Sequence, residues 1–378
     1  MALASCCDDV LLCVLSWCSA RELGAFAVAW RRATMLLARC DDAWRPSVLG
    51  CLPPRGYARA ACRREALFTA FGGRATGSLL YALRPPQPIV LLHVDGTDVY
   101  AVTSQLQVFC NGVLLHTGER VGKGVRASRC CVGDRSHKLY VAASASLLGL
   151  SLRASRFGAA SYVPLSHNAY TAISARSVCG LLDRVCAVRG ARIDMFEVGP
   201  LLNAVHLSTY DAQASLPTSV LVLPCASRVL VGFDSGKAYD ASMLRARSQR
   251  RVASCRSAGK VASLHLLGTV HGKHVVCLVH NSGRVVVACG HTLLRVHECN
   301  ALSATRTPYD RAVCALNAGS HVALASSGGD VDVLRARGAP SRHRKQQFVV
   351  TALLADEVHD RVLVGTSNGI VRTIALRT

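Results

Sequence analysis

The densest group of side chains able to ligate a metal or move a proton is His265, His271, His274 and His280. Their spacing fits no zinc signature, which needs short, fixed ligand separations. Loop or strand-end positions account for them. The chain has 18 cysteines but no Cys-x-x-Cys pair, and Cys6-Cys7 and Cys130-Cys131 are adjacent rather than spaced around an ion. There is no phosphate-cradling glycine loop, and Gly365 to Gly369, which spells Gly-x-Ser-x-Gly, reads as a hairpin turn rather than a strand-to-helix elbow. With only 23 Asp and Glu residues in 378, a hydrolase built on paired carboxylates is not expected. These residues point to no enzyme, no cofactor and no metal. The remaining chemistry is cationic: one basic run carries Arg245, Arg247, Arg250 and Arg251, and a second ends in Arg342, His343, Arg344 and Lys345. Arginine presents a planar fork that takes phosphate or carboxylate in two hydrogen bonds. The runs read as solvated loops, as a binding border for an acidic or phosphorylated segment, or as a nuclear-targeting signal.

Forty-four Lys and Arg residues give a formal net charge of +21. Such a field favours acidic partners. Nucleic acid is the less favoured of these, because aromatic residues make up 5% of the chain and stacking platforms need them. Arg-rich, Ala-rich composition also reflects coding bias. The hydrophobic fraction of 51% fits a globular chain, and no apolar run approaches the roughly 20 residues of a membrane span. The stretch Val10 to Cys18 resembles the apolar part of a secretory signal, but Asp8-Asp9 precedes it and no positive residue does. A chain without a cleaved signal is expected in the cytoplasm or nucleus, where cysteines act as small buried hydrophobes rather than disulfides.

The elements that must position these residues recur. Near the carboxyl end, Val362-Leu363-Val364-Gly365 leads through Ser367-Asn368-Gly369 into Ile370-Val371-Arg372. Two β-branched runs around a small glycine-containing turn form the strongest short-range hairpin signal. Similar turns fall near residues 104, 145, 190, 236, 283, 329 and 369, at intervals of 40 to 47. A period of roughly 40–45 residues indicates propeller blades. Each repeat reads as an apolar strand, a gap and the hairpin, with an outer strand following, such as Leu293-Leu294-Arg295-Val296 in the fifth. The chain stops at Thr378, one strand short of a complete seventh blade. Leu79-Leu80-Tyr81-Ala82-Leu83, ahead of the first repeat, is expected to supply that strand and close the ring, which removes an exposed edge.

Residues 1–50 are helical in pattern. Val10, Leu11, Val14, Leu15 and Cys18 share one helix face, with Asp8 and Asp9 suited to its amino end. Ser19 and Glu22 form a capping box for a second helix. After Pro53-Pro54, residues 58–71 read as one more helix, stopped by Gly72-Gly73. The expected organisation is a helical domain at 1–50, a linker with a helix at 51–75, and a seven-bladed β-propeller at 76–378: a mainly β chain with a small α-helical front.

The repeats resemble WD-type propellers in period, strand order and turn, although no repeat ends in Trp-Asp. The run from Asp8 to Leu23 resembles an F-box, with Ala27-Val28-Ala29-Trp30 and Asp41-Asp42-Ala43-Trp44 similar to that family's later segments; Cys6-Cys7 stands where leucine-proline is usual. An F-box, a linker helix and a propeller form the layout of substrate receptors in Skp–cullin–F-box ubiquitin ligases. The resemblance implies that Val10, Leu11, Val14, Leu15, Trp17, Leu23 and Trp44 pack against a Skp-type adaptor that joins a cullin, and that the propeller binds substrate. The alternative is a propeller scaffold in another protein or RNA–protein complex.

Overall fold

The computed structural model describes residues 78–375, apart from 119–124, 134, 156, 159–160, 180–181, 213–214, 224–227, 243–248, 255–258, 271–272, 282–283, 290–291, 299–311, 319–320, 327–330, 336–340, 344–348, 357–358 and 360. The expected helical domain, the linker helix and all seven adaptor-facing residues from Val10 to Trp44 therefore lie outside the described residues.

Within them the chain forms seven four-stranded antiparallel sheets. Six are built from consecutive strands. Their first strands are Ile89–Asp95, Ala127–Val132, Ala172–Cys179, Pro217–Val222, Val261–Val270 and Ala312–Ala318. The seventh sheet starts with Val350–Asp356, Arg361–Thr366 and Ile370–Ala375, and its fourth strand is Ser78–Ala82 from the other end of the chain. Ser78 pairs with Thr373 and Ala82 with Ile370 in antiparallel register, with one residue bulged between Leu79 and Tyr81. The first strand of each sheet touches the first strand of the next, and that of the seventh touches that of the first. The contacts thus close into a cycle.

All seven positions expected from the hairpin period fall between the second and third strands of their sheets, those near 283 and 329 lying outside the described residues. The period is legible because this hairpin is well buried, as the first two sheets show. Asp98–Thr103 and Lys138–Ala143, second strands of the first two sheets, are buried along their whole length. A strand covered on both faces reads as a continuous apolar run instead of an alternation. The core is a series of layers between neighbouring sheets. Tyr100, Val102, Leu139 and Leu150 fill the space between the first and second sheets. Tyr140, Leu147, Val185 and Phe196 fill the next, and Ile89, Phe109, Leu363 and Val371 join the seventh to the first.

Two near-identical segments show how tightly the sheets approach. Val229-Leu230-Val231-Gly232 and Val362-Leu363-Val364-Gly365 occupy equivalent second strands. A Cβ on Gly232 would lie 2.7 Å from Val261 of the following sheet, and one on Gly365 would lie 2.9 Å from Ile89. Thr218 and Thr351, each on the first strand of its sheet, donate hydroxyl protons to the carbonyl oxygens of those glycines at 3.2 and 3.3 Å.

Candidate functional site

Antiparallel order sends the first-to-second and third-to-fourth connections of every sheet to one end of the cycle. At that end, the first three sheets carry two polar clusters and several exposed apolar side chains. The second sheet contributes the loop from Gly133 to His137 and, beyond its third strand, a helical turn at Leu152–Ser155. The third sheet contributes the bulged end of its first strand and the loop from Gly199 to Asn203.

His93 and Asp95 are two residues apart on the first strand of the first sheet, so both point to one face. His93 Nε2 lies 2.8 Å from His137 Nδ1 of the second sheet. If His93 donates, the remaining His137 N–H faces Asp95, whose oxygen lies 3.7 Å from His137 Nε2. Asp95 in turn accepts two hydrogen bonds from Arg153 on the helical turn, at 2.6 and 3.0 Å. The Arg153 hydrogen bonds hold the Asp95 carboxyl below its usual range against the opposing effect of burial. Burial, then the neighbouring His137, lowers His93 to about 4, and burial lowers His137 as well. This end therefore holds a neutral histidine pair under one paired carboxylate.

Stability should follow that pair. Unfolded histidine titrates near 6.5, so between about 6.5 and the folded value near 4 the unfolded chain binds more protons. Stability is then level above that window and falls as pH drops through it, by up to about 3 kcal/mol for His93. Denaturant midpoints measured from pH 7 to pH 4 should show the fall, and His93→Gln should flatten it. An equally steep fall in the variant would contradict the assignment.

The second polar cluster ties the second sheet to the third. Asp183 is fully buried. It accepts hydrogen bonds from Tyr140 Oη and Ser136 Oγ, both at 2.5 Å, and from Ser177 Oγ at 2.7 Å. Ser177 Oγ accepts the backbone N–H groups of Arg135 and Ser136 at 3.0 and 3.2 Å. Lys138 Nζ lies 3.9 Å from Asp183 and donates to the Gly199 carbonyl at 2.8 Å. One buried carboxylate thus fixes two loops of neighbouring sheets. Burial next to it pushes the Tyr140 phenol well up, which keeps the hydroxyl proton in place as a donor.

Around these fixed loops the surface is apolar and cationic. Phe157 is 84% exposed, Leu201 88% and Val178 45%. Arg135 is exposed, and the Arg153 side chain is 60% exposed.

The structure disperses the residues singled out by sequence. His265 sits within the strand Val261–Val270 rather than in a loop or at a strand end, with Nε2 3.0 Å from Ser263 Oγ and its pKa lowered by burial to about 4. His280 ends the strand Lys273–His280, with Nδ1 3.0 Å from the Gly259 carbonyl oxygen, while His274 lies near its start. His271 falls outside the described residues. Among the described residues no group of three or more His, Cys, Asp or Glu is placed to hold a metal. Cys130 packs towards the first sheet and Cys131 towards the third, because adjacent strand residues face opposite ways. Burial pushes Cys130, Cys186 and Cys277 up to about 12. Of the basic runs, Arg250 and Arg251 belong to the outer strand Gln249–Ser254 and Arg342 to the outer strand Ser341–His343. That differs from the solvated-loop reading: ladder pairing to the third strand takes these three residues into strands. Arg245, Arg247, Arg344 and Lys345 lie outside the described residues.

Sequence reading missed Phe157, Leu201, Asp183 and the histidine pair. A carboxylate inside the strand Leu182–Arg189 was the available signal for Asp183, and Pro200-Leu201-Leu202 in a turn was the signal for Leu201. The partners of His93 come from a different sheet and left no local trace.

No family profile matches the chain, and no curated protein matches it by sequence. Solved structures resemble it in fold. RRP9 WD40 repeats superpose with a TM-score of 0.59 at 12% identity, over 81% of this chain and 99% of that one. Chaetomium thermophilum Raptor gives 0.58 at 10% identity over 86% of this chain, which spans only 31% of Raptor. The computationally designed Ika8 protein gives 0.52 at 15% identity, over 79% of this chain and all of that one. At such identities the likeness concerns fold alone: a mainly β chain of the WD40-repeat propeller type.

Proposed function

We propose that this chain is a non-catalytic protein-interaction scaffold: a seven-bladed, WD-like propeller whose loops bind a partner. The observation that carries this reading is the cycle of seven four-stranded sheets, its last sheet completed by Ser78–Ala82. Such a disc offers rigid loop faces and leaves chemistry to whatever it holds. The finer reading is a substrate receptor of an SCF-type ubiquitin ligase. It is supported by the F-box-like pattern of residues 6–50, through which Val10, Leu11, Val14, Leu15, Trp17, Leu23 and Trp44 would dock a Skp-type adaptor and hence a cullin.

Helix-in-groove contacts draw their energy from a few apolar anchors, each buried leucine contributing about 1.5–3 kcal/mol. Leu11→Asp combined with Leu15→Asp is expected to abolish capture of a recombinant Skp-type adaptor by the full chain. Capture undiminished by the double substitution, or absent from the unmodified chain, would remove the ligase reading and leave a scaffold in another assembly.

A further inference from the structure

The loop end over the first three sheets combines exposed apolar side chains with uncompensated positive charge on a rigid base. Phe157 follows the helical turn whose Arg153 is locked to Asp95. Leu201 sits in the loop that Lys138 holds through the Gly199 carbonyl, and the adjacent Leu202 packs onto Gly149 of the second sheet. Val178 is the extra residue of the bulge between Ser177 and Cys179, directly beside the Ser177 hydroxyl that fixes the Arg135 backbone. The three apolar residues and the two arginines thus stand at one end of adjoining sheets. Phe157, Leu201 and Val178 leave large apolar surface uncovered at this end, and such surface marks interaction sites where it is contiguous.

The charge of this surface identifies the occupant. Among the described residues the Arg135 guanidinium makes no hydrogen bond or ion pair, and three described carboxylates on these sheets are engaged elsewhere. Asp95 is held by Arg153, Asp183 is buried beneath three hydroxyls, and Glu197 is paired with Arg184 at 2.9 Å. What remains open to a partner is cationic and apolar. Building on the scaffold reading, we propose that this end docks an acidic protein segment carrying apolar anchor residues: its carboxylates meet Arg135 and the exposed edge of Arg153, and its anchors cover Leu201, Phe157 and Val178. Arginine suits the task because its fork takes a carboxylate in two bonds. Single-stranded RNA fits less well, since stacking needs aromatic faces and two of the three apolar groups are aliphatic.

The test uses the full chain and a short fluorescein-labelled peptide in which glutamates alternate with leucine and phenylalanine, followed by fluorescence anisotropy. Leu201→Asp combined with Phe157→Ser should weaken binding by about tenfold or more, the usual consequence of losing interface anchors, and Arg135→Glu should do likewise. Arg126→Glu serves as the charge-matched control. It is exposed and immediately precedes the first strand of the second sheet, at the opposite end of the cycle, and it should leave affinity unchanged. All substituted residues are exposed, and unaltered thermal melts confirm that the variants fold. Equal weakening by Arg126→Glu and Arg135→Glu would overturn the proposal in favour of diffuse attraction by the net charge. Undiminished binding by the Leu201/Phe157 variant would overturn it too. So would oligouridine binding that falls with Arg135→Glu yet ignores the apolar pair, or self-association abolished by Leu201→Asp. None of these outcomes depends on adaptor capture through Leu11 and Leu15, so the two readings fail separately.

Discussion

Replacing Asp183 with alanine is expected to destabilise the β domain by about 3–5 kcal/mol, the usual cost of removing one partner of a buried ion pair. The carboxylate is fully buried and holds Tyr140, Ser136 and Ser177 at once. Without it, three hydroxyl donors lose their acceptor. Lys138, itself only 4% exposed, keeps its carbonyl contacts but loses the opposite charge 3.9 Å away. Leaving buried donors unpaired costs more than the hydrogen bonds contributed when made. Denaturant unfolding followed by far-UV circular dichroism would measure the loss. Asp183→Ala combined with Lys138→Met should recover part of it, because the stranded charge is then gone and the two effects do not add. A single-variant loss below about 1 kcal/mol would mean that water, rather than the carboxylate, satisfies this junction.

Deletion of residues 76–84 is expected to abolish cooperative folding and send the chain into aggregates. The deleted strand does more than cap an edge. Tyr81 packs on Gly112 and donates its hydroxyl to the Val99 carbonyl at 3.3 Å, both in the first sheet. The Leu83 N–H donates to the Gly369 carbonyl at 2.9 Å, and the Leu83 side chain is buried in the layer between the seventh and first sheets. Removing the segment uncovers that layer and turns Ile370–Ala375 into an open edge able to pair with other chains. Size-exclusion chromatography and thermal melts of the truncated chain provide the check. A monomeric truncation with an unchanged melting temperature would show that the cycle closes without this strand.

How much was legible beforehand depended on whether a signal was local. The hairpin turns stood out because two apolar strands and a tight turn are neighbours in sequence. The need for Gly369, at φ +77°, follows from the turn itself. The closing strand was legible for a different reason: the seventh repeat reads as three strands where the others read as four, and a spare apolar run precedes the first repeat. The histidines between 265 and 280 are neighbours in the chain, yet His265 lies within a strand rather than in a loop or at a strand end, and antiparallel pairing sets it against Cys277 and His280 against Val261. The histidines that do meet, His93 and His137, are 44 residues apart, about one repeat. Likewise, the basic runs were conspicuous in composition, whereas the exposed Arg135, Phe157 and Leu201 were inconspicuous single residues in loops.

By itself the sequence determined the repeat: its period, the strand pair around each small turn, the apolar content of doubly covered strands, and the net positive charge. These are properties of residues a few positions apart or of the whole composition, and they hold however the sheets are arranged. Only the tertiary structure decided which loops share an end, which carboxylates are spent on internal partners, and which apolar side chains are left uncovered. Each depends on contacts between sheets one repeat or more apart in the chain. Such contacts are selected by packing between layers, where each element sees its neighbour only once both have formed.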